Sequence, residues 1–103
     1  MQTFLDYQAR PVRLTDERLT HILEHPEMRG LESALGETLR NPTFVIESKI
    51  DPVVELNYRF YVGTRVGDKW LCIVVKYSPT DAFVLTAYLT DEVKGGRQIW
   101  PIK

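Results

Sequence analysis

A chain of 103 residues with 44% hydrophobic content holds one core and has no room for a second, so residues 1–103 read as a single domain. Thirteen Lys and Arg against fourteen Asp and Glu leave a formal net charge of −1, which argues against binding nucleic acid by bulk phosphate neutralisation and confines any anion site to a local cluster. The single cysteine, Cys72 in an apolar run, excludes an intrachain disulfide framework and a cysteine-based zinc site.

No run of about 18 apolar residues is present to span a membrane, and the N-terminus MQTFLDYQAR lacks the basic start and apolar middle of a signal peptide. The expected location is therefore the cytoplasm, away from membranes. No cofactor and no metal ligand set are read from the sequence.

Thr3 to Tyr7 is a short β-prone run, ended by Arg10-Pro11 because proline restricts its predecessor and lacks a donor. The first helix begins at Thr15, a good N-cap followed by Asp16 and Glu17, with Leu14 and Leu19 placed as a hydrophobic staple. Leu19, Ile22 and Leu23 form its apolar stripe, and Pro26 ends it after His25. A second helix is expected from Glu27 to Arg40, with Met28, Leu31, Leu35 and Leu39 on one face, closed by Asn41-Pro42.

After Pro42 the period changes to two. Thr43 to Lys49 reads as a strand, and Val54 to Val62 alternates apolar and polar residues as a half-buried strand does. Gly67-Asp68 is expected as a two-residue hairpin turn, followed by strands Lys69 to Tyr77 and Phe83 to Thr90. The tail from Lys94 to Lys103 opens with Gly95-Gly96 and reads as a loop, with Trp100 anchoring its end. The expected fold is α+β: two N-terminal helices packed on one face of a four- to five-stranded antiparallel meander.

A Gly67-Asp68 turn sets a register in which Tyr58 faces Tyr77 and Phe60 faces Val75, while Arg59 faces Lys76 on the opposite side. Pairing Tyr77 with Phe83 brings Thr86, Tyr88 and Thr90 to the Arg59/Lys76 side. The result is a polar groove holding Asn57, Arg59, Tyr61, Lys76, Thr86, Tyr88 and Thr90 on the face away from the helices. Two opposed cations repel, so either a carboxylate such as Glu47, Glu55 or Asp91 neutralises them, or both long side chains splay into water, or they hold a phosphate, with Arg59 as a fork and Lys76 as a compact charge.

Two helices before a four-stranded meander, basic residues on central strands and the Thr-Ala-Tyr segment of FVLTAYLTDEVKGG resemble the superfamily of barnase, EndoU, colicin-type and RelE-like ribonucleases. With LTDERLTHILEHPEM, that phrase looks like small prokaryotic and phage-associated members of the group. The resemblance implies metal-independent cleavage of RNA by internal attack of the 2′-hydroxyl. Arg59 and Lys76 would stabilise the transition state, and Thr86, Tyr88 or His25 would complete the catalytic set. Asn57, Tyr61, Thr90 and Arg97 would bind substrate, Arg97 folding over the groove from the tail. RelE-type nucleases are usually basic and this chain is not. Nor does any histidine fall in the strands or tail.

His21 and His25, with Glu24, also match the HxxEH pattern of inverted zinc proteases. Those proteases are far larger, and Pro26 would interrupt the helix beside the second ligand, so the pattern is set aside. The expected function is thus a ribonuclease-like protein, a toxin or phage-type effector, with RNA and an antitoxin-like protein as partners. The alternative is a non-catalytic binding or regulatory module on the same scaffold, with a homodimer through an edge strand as one form of it.

Overall fold

In the computed structural model, which describes residues 1–102, a β-hairpin precedes the helices. Strands β1 (Gln2–Leu5) and β2 (Pro11–Leu14) form it, and α1 (Asp16–Leu23), a 3-10 turn (Pro26–Met28) and α2 (Glu32–Arg40) follow. Strands β3 (Phe44–Glu47), β4 (Val54–Thr64), β5 (Gly67–Ser78), β6 (Asp81–Thr90) and β7 (Arg97–Trp100) complete the chain. All join one seven-stranded sheet in the order β1-β2-β6-β5-β4-β3-β7, and β2 meets β6 in parallel through Arg13 and Phe83.

This mixed sheet corrects the expected antiparallel meander behind two N-terminal helices. Proline at the first position of a strand costs no ladder bond, so Pro11 opens β2 instead of ending the segment. The tail supplies β7, which pairs with the otherwise free edge of β3, so the expected loop is a strand over Arg97–Trp100. Lys103, the last residue of that tail, lies outside the described residues.

Thr15 caps α1 as its sequence predicts, its hydroxyl accepting from the Arg18 backbone N–H at 3.2 Å. Replacing Thr15 with alanine is expected to cost about 1 kcal/mol, read as a lower denaturant midpoint with an unchanged slope. The second helix starts five residues later than expected, because Pro26 opens a separate 3-10 turn and Gly30 adopts φ +90 before Glu32. Ile22, Met28, Leu35 and Leu39 then pack over Leu71, Ile73, Val75 and Val84 as the main core.

The other face of the sheet buries a smaller cluster of Ile46, Leu56, Tyr58 and Cys72. Because β6 and β7 are separated by three strands, the connection from Asp91 to Gly96 must cross β5, β4 and β3. It crosses on this second face. Val93 packs on the cluster, and the Lys94 backbone N–H donates to the Tyr58 hydroxyl at 3.2 Å. At the far end of this strap, a Cβ on Gly96 would lie 2.7 Å from Ile46 Cγ2 and 2.8 Å from the Glu47 carbonyl oxygen.

A polar node ties the β1–β2 turn to the sheet. Asp6 is fully buried and accepts from the backbone N–H groups of Gln8 and Arg10 at 2.9 Å, from Arg10 Nε at 2.8 Å and from the Tyr77 hydroxyl at 2.6 Å. Arg10 stacks over the Tyr77 ring, 4.1 Å from its centroid, and also donates to Glu55, as does the Tyr7 hydroxyl. Burial, reinforced by Asp6, raises the Tyr77 phenol well above its ordinary value, so it stays a donor.

Candidate nucleic-acid interface

The β4–β5 register decides which side chains meet. The loop is Arg65-Val66, closed by Thr64 opposite Gly67, one rung-pair away from the expected Gly67-Asp68 turn. That shift moves each strand by two residues and alone would leave Arg59 and Lys76 on one face. The faces are exchanged by a bulge: between Tyr61–Lys69 and Thr64–Gly67, both Val62 and Gly63 stand against Asp68. Gly63 takes φ +73, a conformation that favours glycine, and its N–H donates to the Asp68 carboxylate at 2.9 Å.

Below the bulge Arg59 pairs with Leu71, Tyr58 with Cys72, Phe60 with Trp70 and Val54 with Lys76. Arg59 and Lys76 therefore lie on opposite faces of the sheet, and the expected cation pair does not form. Arg59 is held on the helix side, donating to the Asn41 carbonyl at 2.7 Å and lying 3.4 Å from Glu37. Tyr61 is on that side too, its hydroxyl donating to Glu37 at 2.8 Å, and burial pushes its phenol up to about 12. Asn57 is fully buried among core residues and donates to the Ile73 carbonyl at 3.3 Å.

His25 does not join the groove either. It precedes the 3-10 turn on the helix side, 3.7 Å from Glu27, while His21 lies 3.1 Å from Glu24, and both imidazoles are largely exposed. Arg97 sits on β7 at the sheet edge, paired with Glu47.

Lys76, Thr86, Tyr88 and Thr90 do share the face opposite the helices. The β5–β6 register pairs Trp70 with Thr90, Cys72 with Tyr88 and Val74 with Thr86, in line with the expected register, but a second bulge then brings Lys76 opposite Phe83, so Tyr77 pairs with Ala82 and not with Phe83 as expected. Lys76 lies 3.6 Å from Asp51, at a half-exposed surface where such a pair is weak and exchangeable.

The strap adds a residue that sequence reasoning passed over. Lys94 falls in the tail that reads as a loop, yet its ammonium stands 5.8 Å from the Tyr88 ring centroid. Among the described residues, Lys94 has no carboxylate within ion-pair distance. Lys94, Tyr88, Thr86 and Lys76 thus run contiguously along one sheet face. No local pattern in the sequence marks Lys94, because its position depends on the strap crossing three strands.

Burial keeps the phenols of this face neutral. Tyr58 is pushed up to about 12, and Tyr88 is raised further by burial beside Cys72 and Tyr58. Burial also raises the Cys72 thiol. Both hydroxyls are buried, so at neutral pH the face offers its ammonium groups and the exposed Thr86 hydroxyl, and neither tyrosine serves as a base.

No protein-family model matches the chain, and comparison with curated proteins and with solved structures finds no match. No helix among the described residues is long and apolar enough to cross a membrane.

Proposed function

We propose that this chain acts on single-stranded RNA through the sheet face that its helices leave free, as a ribonuclease-like protein. The observation that carries this reading is the contiguous set of Lys94, Tyr88, Thr86 and Lys76 on that face. Ammonium groups supply point charges for phosphate oxygens and the exposed Thr86 hydroxyl supplies a neutral donor, while Tyr88 contributes its ring, its hydroxyl being buried. Lys94, from the strap, takes the part that sequence reasoning gave to Arg59. A cytoplasmic location suits such a substrate.

In the enzymatic form, the 2′-hydroxyl loses its proton to water and attacks the adjacent phosphorus, the P–O5′ bond breaks as a 2′,3′-cyclic phosphate forms, and the departing 5′-oxygen takes a proton from water. The two lysines would stabilise charge on the non-bridging oxygens. The alternative, a non-catalytic RNA-binding module, is favoured by one specific observation. Arg59 is engaged with Asn41 and Glu37 on the far side, which removes the forked cation expected to face the phosphate.

One experiment separates the readings. Labelled mixed-sequence RNA is incubated with the protein in EDTA, and both anisotropy and product ends are read. Wild type is expected to bind, and Lys76→Ala with Lys94→Ala to bind at least tenfold more weakly, with a shallower dependence on salt by about two charges. Cyclic-phosphate ends that disappear in the double variant establish the enzyme, and binding without cleavage establishes the module. Absence of binding, or binding unchanged in the double variant, overturns the assignment of this face.

A further inference from the structure

The same face carries an aromatic end that the phosphate contacts do not use. Phe60 stands directly opposite Trp70, with ring centroids 5.2 Å apart at 71°. Trp70 in turn lies 5.6 Å from Phe44 and meets Tyr58 edge-on at 6.5 Å. These neighbours hold Trp70 in place, whereas Phe60 keeps 45% of its surface exposed. A half-exposed phenylalanine beside a fixed indole gives this face an aromatic surface open to solvent, on which a flat apolar group could pack.

Charge identifies the occupant. The rung next to Phe60–Trp70 is Tyr58–Cys72–Tyr88, over which Lys94 lies, and rungs on one face are about 7 Å apart. An apolar ring site therefore adjoins an ammonium without a carboxylate partner among the described residues. An apolar peptide would fill the first and leave the second unused. A strand of unpaired nucleotides presents a flat base and a phosphate at neighbouring positions, whereas a duplex hides its base faces.

We infer that Phe60 and Trp70 form a base-stacking subsite, so that the ligand of this face is RNA with unpaired bases, one base lying on the aromatic pair and its neighbouring phosphate at Lys94. This rests on the RNA reading above and adds what that reading leaves open, namely selection for unstacked bases over backbone alone.

The test uses Trp100→Phe protein, which leaves Trp70 as the only tryptophan; Trp100 lies at the β7 edge against Tyr7, 5.3 Å away, so its emission would otherwise obscure the signal. Three labelled probes are titrated: oligouridylate, an abasic oligomer with the same number of phosphates, and duplex RNA of the same length. Oligouridylate is expected to bind tightest and to quench Trp70. Phe60→Ala should weaken oligouridylate binding roughly five- to hundredfold, the range that base–aromatic stacking covers, without changing the salt slope. Phe60→Trp should restore it. If oligouridylate binds but the abasic probe binds equally well, or Phe60→Ala has no effect, the stacking subsite is overturned while the RNA reading stands. If no probe binds, the RNA reading fails and the subsite falls with it.

Discussion

Gly96→Ala is expected to destabilise the fold by about 2–3 kcal/mol, because an added methyl would overlap both a side chain and the main chain. The Cβ would lie 2.7 Å from Ile46 Cγ2 and 2.8 Å from the Glu47 carbonyl oxygen, at a backbone φ of +154. Neither neighbour yields easily. Ile46 is buried under the strap, and Glu47 is fixed between β4 and β7. Relief would require lifting the strap's end, which would loosen the Lys94–Tyr58 hydrogen bond and expose Cys72. For a domain of this size the loss corresponds to a melting temperature lower by roughly 10–20 °C. Gly63→Ala is the control: it also has positive φ, +73, but a Cβ there meets nothing within 4 Å. It should lose only about 1 kcal/mol from backbone strain. Denaturant melts of the two variants check the argument, and equal losses would show that the close approach at Gly96 contributes nothing.

The contrast between these glycines also shows where sequence reasoning stops. Local chemistry is readable: Thr15 caps α1, and Trp70–Thr90 to Val74–Thr86 pair in the expected register. Faces along β4 are readable only if every residue between turn and site is paired one to one. A single extra residue at Val62-Gly63 exchanges the faces, and with them Arg59, Asn57 and Tyr61 move from the expected groove to the helix side. A glycine inside a strand is the one signal of such a bulge that the chain offers. β7 offers none, because its pairing with β3 exists only after the strap has crossed the sheet. The layout of the candidate site was thus half legible: Lys76, Thr86 and Tyr88 share one face as expected, Arg59 lies on the other, and Lys94 reaches Tyr88 from a segment distant in topology.

Asp6→Ala should be more damaging than the glycine change, by about 3–5 kcal/mol, because it removes the anion of a buried, fully bonded node. The Asp6 carboxylate takes four hydrogen bonds, from the Gln8 and Arg10 backbone, the Arg10 guanidinium and the Tyr77 hydroxyl. Truncation leaves the Tyr77 phenol and two turn N–H groups without acceptors, each costing about 1–3 kcal/mol where water cannot enter. Arg10 is partly compensated, since it still reaches Glu55 and is one-third exposed. Asp6→Asn separates charge from geometry: its amide oxygen can still accept from the turn, but its NH2 group cannot accept from Arg10 or Tyr77. Its expected loss lies between wild type and Asp6→Ala. The β1–β2 hairpin and its junction with β6 should suffer first, since β2 meets β6 through the single pair Arg13–Phe83, and Arg13–Asp81 is the neighbouring clamp. Hydrogen exchange should therefore show residues 2–14 opening ahead of the β4–β5–β6 core in Asp6→Ala. Uniform acceleration across the sheet, or full stability of the variant, would show that Asp6 does not hold this hairpin to the fold.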